Sequence, residues 1–250
     1  MTVSAVTGTA EKPIFLAAGD AALVVQFGEA IDSAINQRVN DLARALRSLA
    51  LVGVVDLVPT FRSLMIHYDP LRTDQAQLIA AVEGNLHVQT ASSERRRSWI
   101  IPSCYEGECA PDLEAVARQA GLSPAEVIAA HSGVDFDVYM MGFMPGFPYM
   151  ASMPPALRVP RLTEPRVRVP VRSVSIAAEI TVVYAIETPG GLSLIGRTPV
   201  PFFDLRRDPP VLLESGDQVR FEAISLAEYT ALEADYAAHT KTLEFTWIDA

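Results

Sequence analysis

The chain has 250 residues, with 20 lysines and arginines against 30 aspartates and glutamates and a formal charge of −10. That balance excludes a nucleic-acid binder that works by counterion release, which needs clustered positive charge. Half of the residues are apolar and a fifth are charged, so the chain buries a core and is not a disordered polyelectrolyte.

In chain order, Ala22 to Phe27 reads as a strand closed by Gly28. Ser33 is expected to cap a helix whose apolar stripe is Ile35, Val39, Leu42, Leu46 and Leu49, ended by Gly53. Two further strands are expected over Val54 to Val58 and Leu64 to Tyr68. Asp74 and Gln77 then start a second helix that runs through Val82 and stops at Gly84, and Leu86 to Gln89 completes the set. The order strand, helix, strand, strand, helix, strand is that of a ferredoxin-like α+β domain, assigned to residues 1–94. The polar stretch Thr90 to Ser98, with Ser92, Ser93 and the triplet Arg95, Arg96 and Arg97, reads as a solvated linker between domains.

The second domain, residues 95–250, is expected to open with a strand at Trp99 to Ile101. Cys104 and Cys109 read as reduced structural thiols, since no further ligands at zinc spacing lie nearby; no metal site is expected. Pro111 lies at a helix start, Gly121 at its stop, and Ser123-Pro124-Ala125-Glu126 is a capping box for a short helix to about His131. Short apolar runs follow, Asp135 to Phe143, Arg166 to Val169, Val174 to Ala177, Thr181 to Ile186, Leu192 to Ile195 and Gln218 to Phe221, the pattern of a barrel or sandwich. The run from Val138 to Ala151 has no polar side-chain break other than prolines and glycines, yet it is shorter than the roughly 18 residues of a bilayer span. With no basic, apolar leader at the N-terminus, a cytoplasmic protein with no membrane partner is expected. Seven of the 18 prolines fall between Pro145 and Pro170, which argues for a stiffened loop there instead of central strands. Ser225 and Glu228 cap a last helix reaching His239.

Gly191 to Thr198 reads G-x4-G-R-T, one residue from a phosphate-cradling loop, but Pro199 and Pro201 bar the helix that such a loop must open. No G-x-S-x-G or H-E-x-x-H occurs. His131 admits two readings, a functional group or a helix C-terminal cation facing the macrodipole. The richest stretch is GFMPGFPYM, Gly142 to Met150, followed by Pro160-Arg161, Thr188 to Gly191 and Ile195 to Pro199. Phe143, Phe147 and Tyr149 offer apolar walls, Pro145 and Gly146 a backbone that a ligand approaches closely, and Arg161 and Arg197 suit a carboxylate or phosphate. The alternative is a proline-stiffened plug on the barrel end.

Together these motifs resemble the family known as allophanate hydrolase subunit 1, KipI, and the B component of the bacterial ATP-dependent 5-oxoprolinase. The resemblance is carried by GDAALVVQFG from Gly19, DLVPTFRSLMIHYDP from Asp56, IPSCYEGECAPDLEAVA from Ile101, VYMMGFMPGFPYM from Val138 and ETPGGLSLIGRTP from Glu187. It implies a cyclophilin-like β-barrel for the second domain and a role within a heteromeric amide or lactam hydrolase. That enzyme opens 5-oxoproline to glutamate, consumes ATP with magnesium in the assembled complex, and needs a homologous second subunit, the C component, together with an A component. The family also implies two alternatives: a regulator that inhibits a histidine kinase, and a carboxyltransferase-type module like that of urea carboxylase. On the resemblance, His131 and Arg197 are the expected catalytic groups, and Phe143, Pro145, Gly146, Phe147, Tyr149, Arg161, Glu179, Gly190, Gly191 and Thr198 the expected substrate-binding residues. The chain departs from the family's glycine-glycine-glutamine stretch, reading Ala178, Glu179, Ile180.

Overall fold

The computed structural model describes residues 12–86 and 95–249, and the chain forms two compact units, Met1–Ser93 and Glu94–Ala250. In the first unit, β1 (Ile14–Ala17), β2 (Ala22–Gln26), β3 (Val54–Pro59) and β4 (Ser63–Tyr68) form an antiparallel sheet in the order β1-β2-β4-β3. Helices α1 (Ser33–Leu49) and α2 (Gln75–Asn85) follow β2 and β4. Alternation in β4 buries Leu64, Ile66 and Tyr68, and these meet Leu23 and Val25 of β2, Val39, Leu42 and Leu46 of α1, and Leu78 and Val82 of α2. Each such aliphatic side chain contributes about 1.5–3 kcal/mol on burial.

Several local expectations change. Strand β1 pairs along β2 and was not foreseen. The cap of α1 is Asp32, whose Oδ1 accepts from Ile35 N at 3.0 Å, one residue before the expected Ser33. The helix ends earlier than Gly53, because Ala50 turns into the left-handed region and donates to Arg47 O. Asp74 caps α2 as expected, but the helix passes through Gly84 to Asn85, a single glycine costing only about 1 kcal/mol. Of the strand expected at residues 86–89, Leu86 caps α2 and the rest lies outside the described residues, as do Ser92 and Ser93.

In the second unit β5 (Arg95–Cys104), β6 (Asp135–Met141), β7 (Pro148–Ala151), β9 (Ser173–Ala177), β10 (Ile180–Val183), β12 (Ser193–Arg197) and β13 (Gln218–Ile224) close a seven-stranded barrel. Its order is β12-β9-β10-β7-β6-β13-β5, and the pairing of Arg197 with Cys104 brings β12 back onto β5. The β13–β5 ladder is parallel and the others are antiparallel. Strand β14 (Phe245–Asp249) adds to β5 outside the ring, and β8 (Arg166–Val169) pairs with β11 (Thr188–Gly190) as a separate ribbon. Helices α3 (Leu113–Ala120), α4 (Pro124–Ser132) and α5 (Leu226–Ala237) complete the unit. The capping boxes of Ser123 with Glu126 and Ser225 with Glu228 are both formed. Helix α5 stops at Ala237, short of the expected end at His239.

Two readings of this region are corrected. Arg95, Arg96 and Arg97 lie in β5, not in a linker: Arg96 pairs with Asp137 at 2.5 Å and Arg97 with Asp217 at 2.7 Å, so these two charges are compensated within the sheet. The proline-rich segment contributes β7 to the ring, with Pro148 as its first residue, a position where a strand tolerates the missing N–H.

The β9–β10 hairpin turns through Ala178 and Glu179, since Ala177 pairs with Ile180. Ala178 has φ of 49°, a region that disfavours a Cβ by about 1–2 kcal/mol. This gives the family's glycine there a backbone reason. Ala178→Gly is expected to stabilise the protein by about 1 kcal/mol, read as a rise in the thermal midpoint; an unchanged or lower midpoint would count against strain at this turn.

Candidate functional site

Alternation along β10 sends its side chains to two cores. Thr181 and Val183 face the barrel interior, whereas Ile180, Val182 and Tyr184 belong to an outer cluster with Phe147, Val169, Leu192 and Leu194. The β6–β7 loop lays its aromatics on this outer face. Phe147 is buried, with ring centroids 5.1 Å from Tyr149, 5.2 Å from Tyr184 and 5.4 Å from Phe143. Phe143 is 68 % exposed and forms the open lip. Gly146 has φ of 74°, and a Cβ there would come within 2.9 Å of Phe202 O, so Pro145-Gly146 is a turn that only glycine closes.

The Pro160-Arg161-Leu162 strap lies over the Thr188 to Gly191 ribbon, with Leu162 N donating to Gly191 O at 2.9 Å. Gly190 is needed where it stands: a Cβ would lie 2.2 Å from Tyr184 Oη. The Leu192 N–H donates to that phenol oxygen, and the positive charge of Arg161 acts on the phenols of both Tyr184 and Tyr149. Burial pushes both phenols up from their ordinary value while the Arg161 guanidinium pulls the other way, so both stay protonated donors at neutral pH. Arg161 is exposed. The charge of Arg166 also acts on the Tyr184 phenol, and Arg166 is held by Asp112 at 2.5 Å, whose second oxygen accepts from Leu194 N at 2.7 Å. The exposed Arg161 guanidinium, the half-buried Tyr149 phenol and the apolar Phe143 and Phe147 are chemically suited to a carboxylate or similar oxyanion, with Tyr184 buried behind them. Tyr184 and Arg166 were missed in the sequence; the period-two outward register of Val182 and Tyr184 was the available signal.

The remaining expected residues lie elsewhere. Arg197 and Thr198 are at the far end of β12 from Gly191. Arg197 Nε donates to Val171 O at 3.2 Å, and Thr198 is fully buried with Oγ1 accepting from Val200 N. Glu179 pairs with Arg158 at 2.7 Å at the hairpin tip. His131 is fully buried at the end of α4, and burial pulls its imidazole down to about 3. Tyr105 Oη lies 2.9 Å from its Nδ1 and Thr181 Oγ1 3.0 Å from its Nε2, and Thr181 donates on to Ser175 O at 3.2 Å. This relay of hydrogen bonds is satisfied throughout when Tyr105 donates to Nδ1 and Nε2–H donates to Thr181. Both cysteines are free and buried, and burial pushes the Cys109 thiol up to about 12.

The near match to a phosphate-binding loop does not form one. Gly196 and Arg197 are strand residues and Thr198 opens no helix, so the near match to a phosphate loop presents no cradle of N–H groups. No group of three or more His, Cys, Asp or Glu suited to a metal occurs among the described residues, and no helix among them is long and apolar enough to cross a membrane.

Residues 13–213 match the family model described as carboxyltransferase domain, subdomain C and D. The chain is 37% identical to the B component of 5-oxoprolinase from Bacillus subtilis over 234 residues, 87% of this chain and 95% of that protein. The chain belongs to the family of 5-oxoprolinase B components. A solved structure of TTHA0988 matches this family member with a TM-score of 0.75 and 38% identity, over 82% of this chain; the chain spans only 40% of that structure's length. The urea amidolyase of Kluyveromyces lactis shares the fold, with a TM-score of 0.79 at 21% identity over 97% of this chain and 17% of that one.

Proposed function

We propose that the chain is a non-autonomous component of a heteromeric, ATP-dependent lactam hydrolase that opens 5-oxoproline to glutamate, working with a homologous second subunit and an A component in the cytoplasm. The observation that carries this reading is the 37% identity over 95% of a protein named as the B component of 5-oxoprolinase. On this reading residues 1–94 are a ferredoxin-like domain, supported by the β2-α1-β3-β4-α2 order, and residues 95–250 a cyclophilin-like domain, supported by the closed barrel. ATP and magnesium belong to the assembled complex.

Within the complex, Arg161 holds the carboxylate of the lactam, the Tyr149 phenol donates to its oxygens, the buried Tyr184 supports Phe147 from below, and Phe143 and Phe147 wall the ring. Gly190, by lacking a Cβ, leaves room for the Tyr184 oxygen beneath it. His131 positions Tyr105 and Thr181 as a neutral imidazole, and Arg197 braces the Val171 turn. The test is ATP-dependent glutamate release from 5-oxoproline by this chain mixed with the other two components, each of the three omitted in turn. Release that persists without this chain would sink the assignment. Arg161→Ala is expected to lower kcat/KM for 5-oxoproline about 100-fold, mainly through KM, with assembly intact, as loss of a charge-assisted pair implies. Full activity would remove Arg161 from the site.

The match to the carboxyltransferase model supports a second reading, a module that accepts a carboxyl group from biotin. Transfer from carboxybiotin by the same complex, without glutamate release, would favour it.

A further inference from the structure

A second cleft lies in the barrel unit between the turn after β12, the end of α5 and the segment entering β14. Its volume is about 210 Å³, and it shares no residue with the Arg161 site. Tyr236 lines it, is only 6% exposed, and its Oη is buried with no hydrogen-bond partner. A phenol stripped of water and left without an acceptor is costly unless a ligand supplies one.

The charged residues around it point to the sign of that ligand. Arg206, Arg207 and Lys241 line the cleft against a single carboxylate, Asp204, with His239 beside them. This is a concentration of positive charge in a chain of net charge −10. Asp204 is committed, since its two oxygens take Arg206 at 2.9 and 3.0 Å. Arg207 is fixed by the carbonyls of Pro201, Phe202, Pro209 and Pro210 at 2.9 to 3.3 Å, so it is oriented without being neutralised by a carboxylate at hydrogen-bond distance. Leu212 and Leu243 close the apolar side. Arg207 thus brings fixed positive charge with four of its five N–H groups already used, and the Lys241 ammonium and the buried Tyr236 hydroxyl supply the donors.

We propose that this cleft binds a small oxyanion, the carboxylate or phosphate of a small metabolite, with Tyr236 donating to it and Arg207 and Lys241 compensating its charge. The inference does not rest on the reading of the chain as a hydrolase component. Calorimetric titration of the purified full chain at low ionic strength, with inorganic phosphate in one arm and glutarate in the other, tests it. Binding in either arm is expected, and the arm that binds identifies the anion class.

Tyr236→Phe is expected to weaken binding about tenfold and Lys241→Ala about fivefold, in line with losing one charge-assisted contact each. Arg161→Ala is expected to leave both arms unchanged. Because Tyr236→Phe deletes only an unpartnered oxygen, the ligand-free variant is expected to melt at or above the wild-type temperature, which separates lost binding from lost folding. No binding of either probe up to about 10 mM, weaker than the millimolar floor of specific recognition, would overturn the proposal. So would an affinity that either cleft variant leaves unchanged, or one that Arg161→Ala abolishes.

Discussion

Asp217→Ala is expected to destabilise the barrel unit by about 3–5 kcal/mol, lowering its thermal midpoint by about 10 °C. The Asp217 residue is 2% exposed, yet its carboxylate accepts four hydrogen bonds: Arg97 Nε at 2.8 Å and Nη2 at 2.7 Å, Trp99 Nε1 at 3.0 Å and Glu214 N at 2.9 Å. Removing it leaves a half-buried guanidinium, an indole N–H and a backbone N–H without this acceptor. The pair is not a simple gain: burial pushes the Asp217 carboxyl above its ordinary value and outweighs the pull of Arg97. The cost therefore lies in breaking the arrangement. Asp217→Asn, which keeps an acceptor for Trp99 or Glu214, is expected to cost clearly less than Asp217→Ala. Arg97→Met combined with Asp217→Asn is expected to cost less than the two singles summed, by at least about 1 kcal/mol. Trp99 and Trp247 are the chain's two tryptophans and both lie in this unit, so the fluorescence transition reports it alone. A midpoint for Asp217→Ala within two or so degrees of wild type, under about 1 kcal/mol, would show that the network carries no such weight.

The same network explains what sequence reasoning could not reach. Arg95 to Arg97 read as a solvated linker because the partner of Arg97 is 120 residues away in the chain, and charge runs without local partners usually face water. Local signals did better: the capping boxes at Ser123 and Ser225, the stop at Gly121 and most barrel strands are set by nearest-neighbour chemistry. Half of the candidate site was legible for the same reason, since the aromatic, glycine and proline residues from Gly142 to Tyr149 advertise a tight apolar loop. Tyr184 and Arg166 were hidden, because their role follows from which face of the β10 segment Tyr184 occupies and from Asp112, which forgoes capping α3 to hold Arg166 and the Leu194 N–H. Of the two readings of His131, burial counts against the helix-terminal cation: a histidine at the surface would favour the charged form, whereas this one is enclosed by Phe136 and Phe221, with ring centroids at 5.1 and 4.6 Å.

That enclosure makes His131 the source of an acid-side loss of stability. Its imidazole is held down to about 3 by burial, against about 6.5 in an unfolded chain. Between those values the unfolded state takes up a proton that the folded state refuses, so stability is intact above about pH 6.5 and falls as pH falls, by about 1.4 kcal/mol per pH unit. From pH 7.5 to pH 5 the expected loss from this residue is about 2 kcal/mol. The groups packed on the ring, Tyr105, Thr181, Phe136 and Phe221, carry no charge in that range to offset it. His131→Gln is expected to lower stability at about pH 7.5, by disturbing the Tyr105 and Thr181 bonds, while flattening the dependence below about pH 6.5 by one proton. The measurement is the urea midpoint of tryptophan fluorescence from about pH 7.5 to 5 for both proteins. Parallel curves would mean that the folded protein already accepts the proton, which would return His131 to consideration as a proton carrier. A flattened curve fixes it as the strut that ties Tyr105 to Thr181 through the barrel interior, and predicts that the pH–rate profile of the assembled complex carries no limb belonging to it.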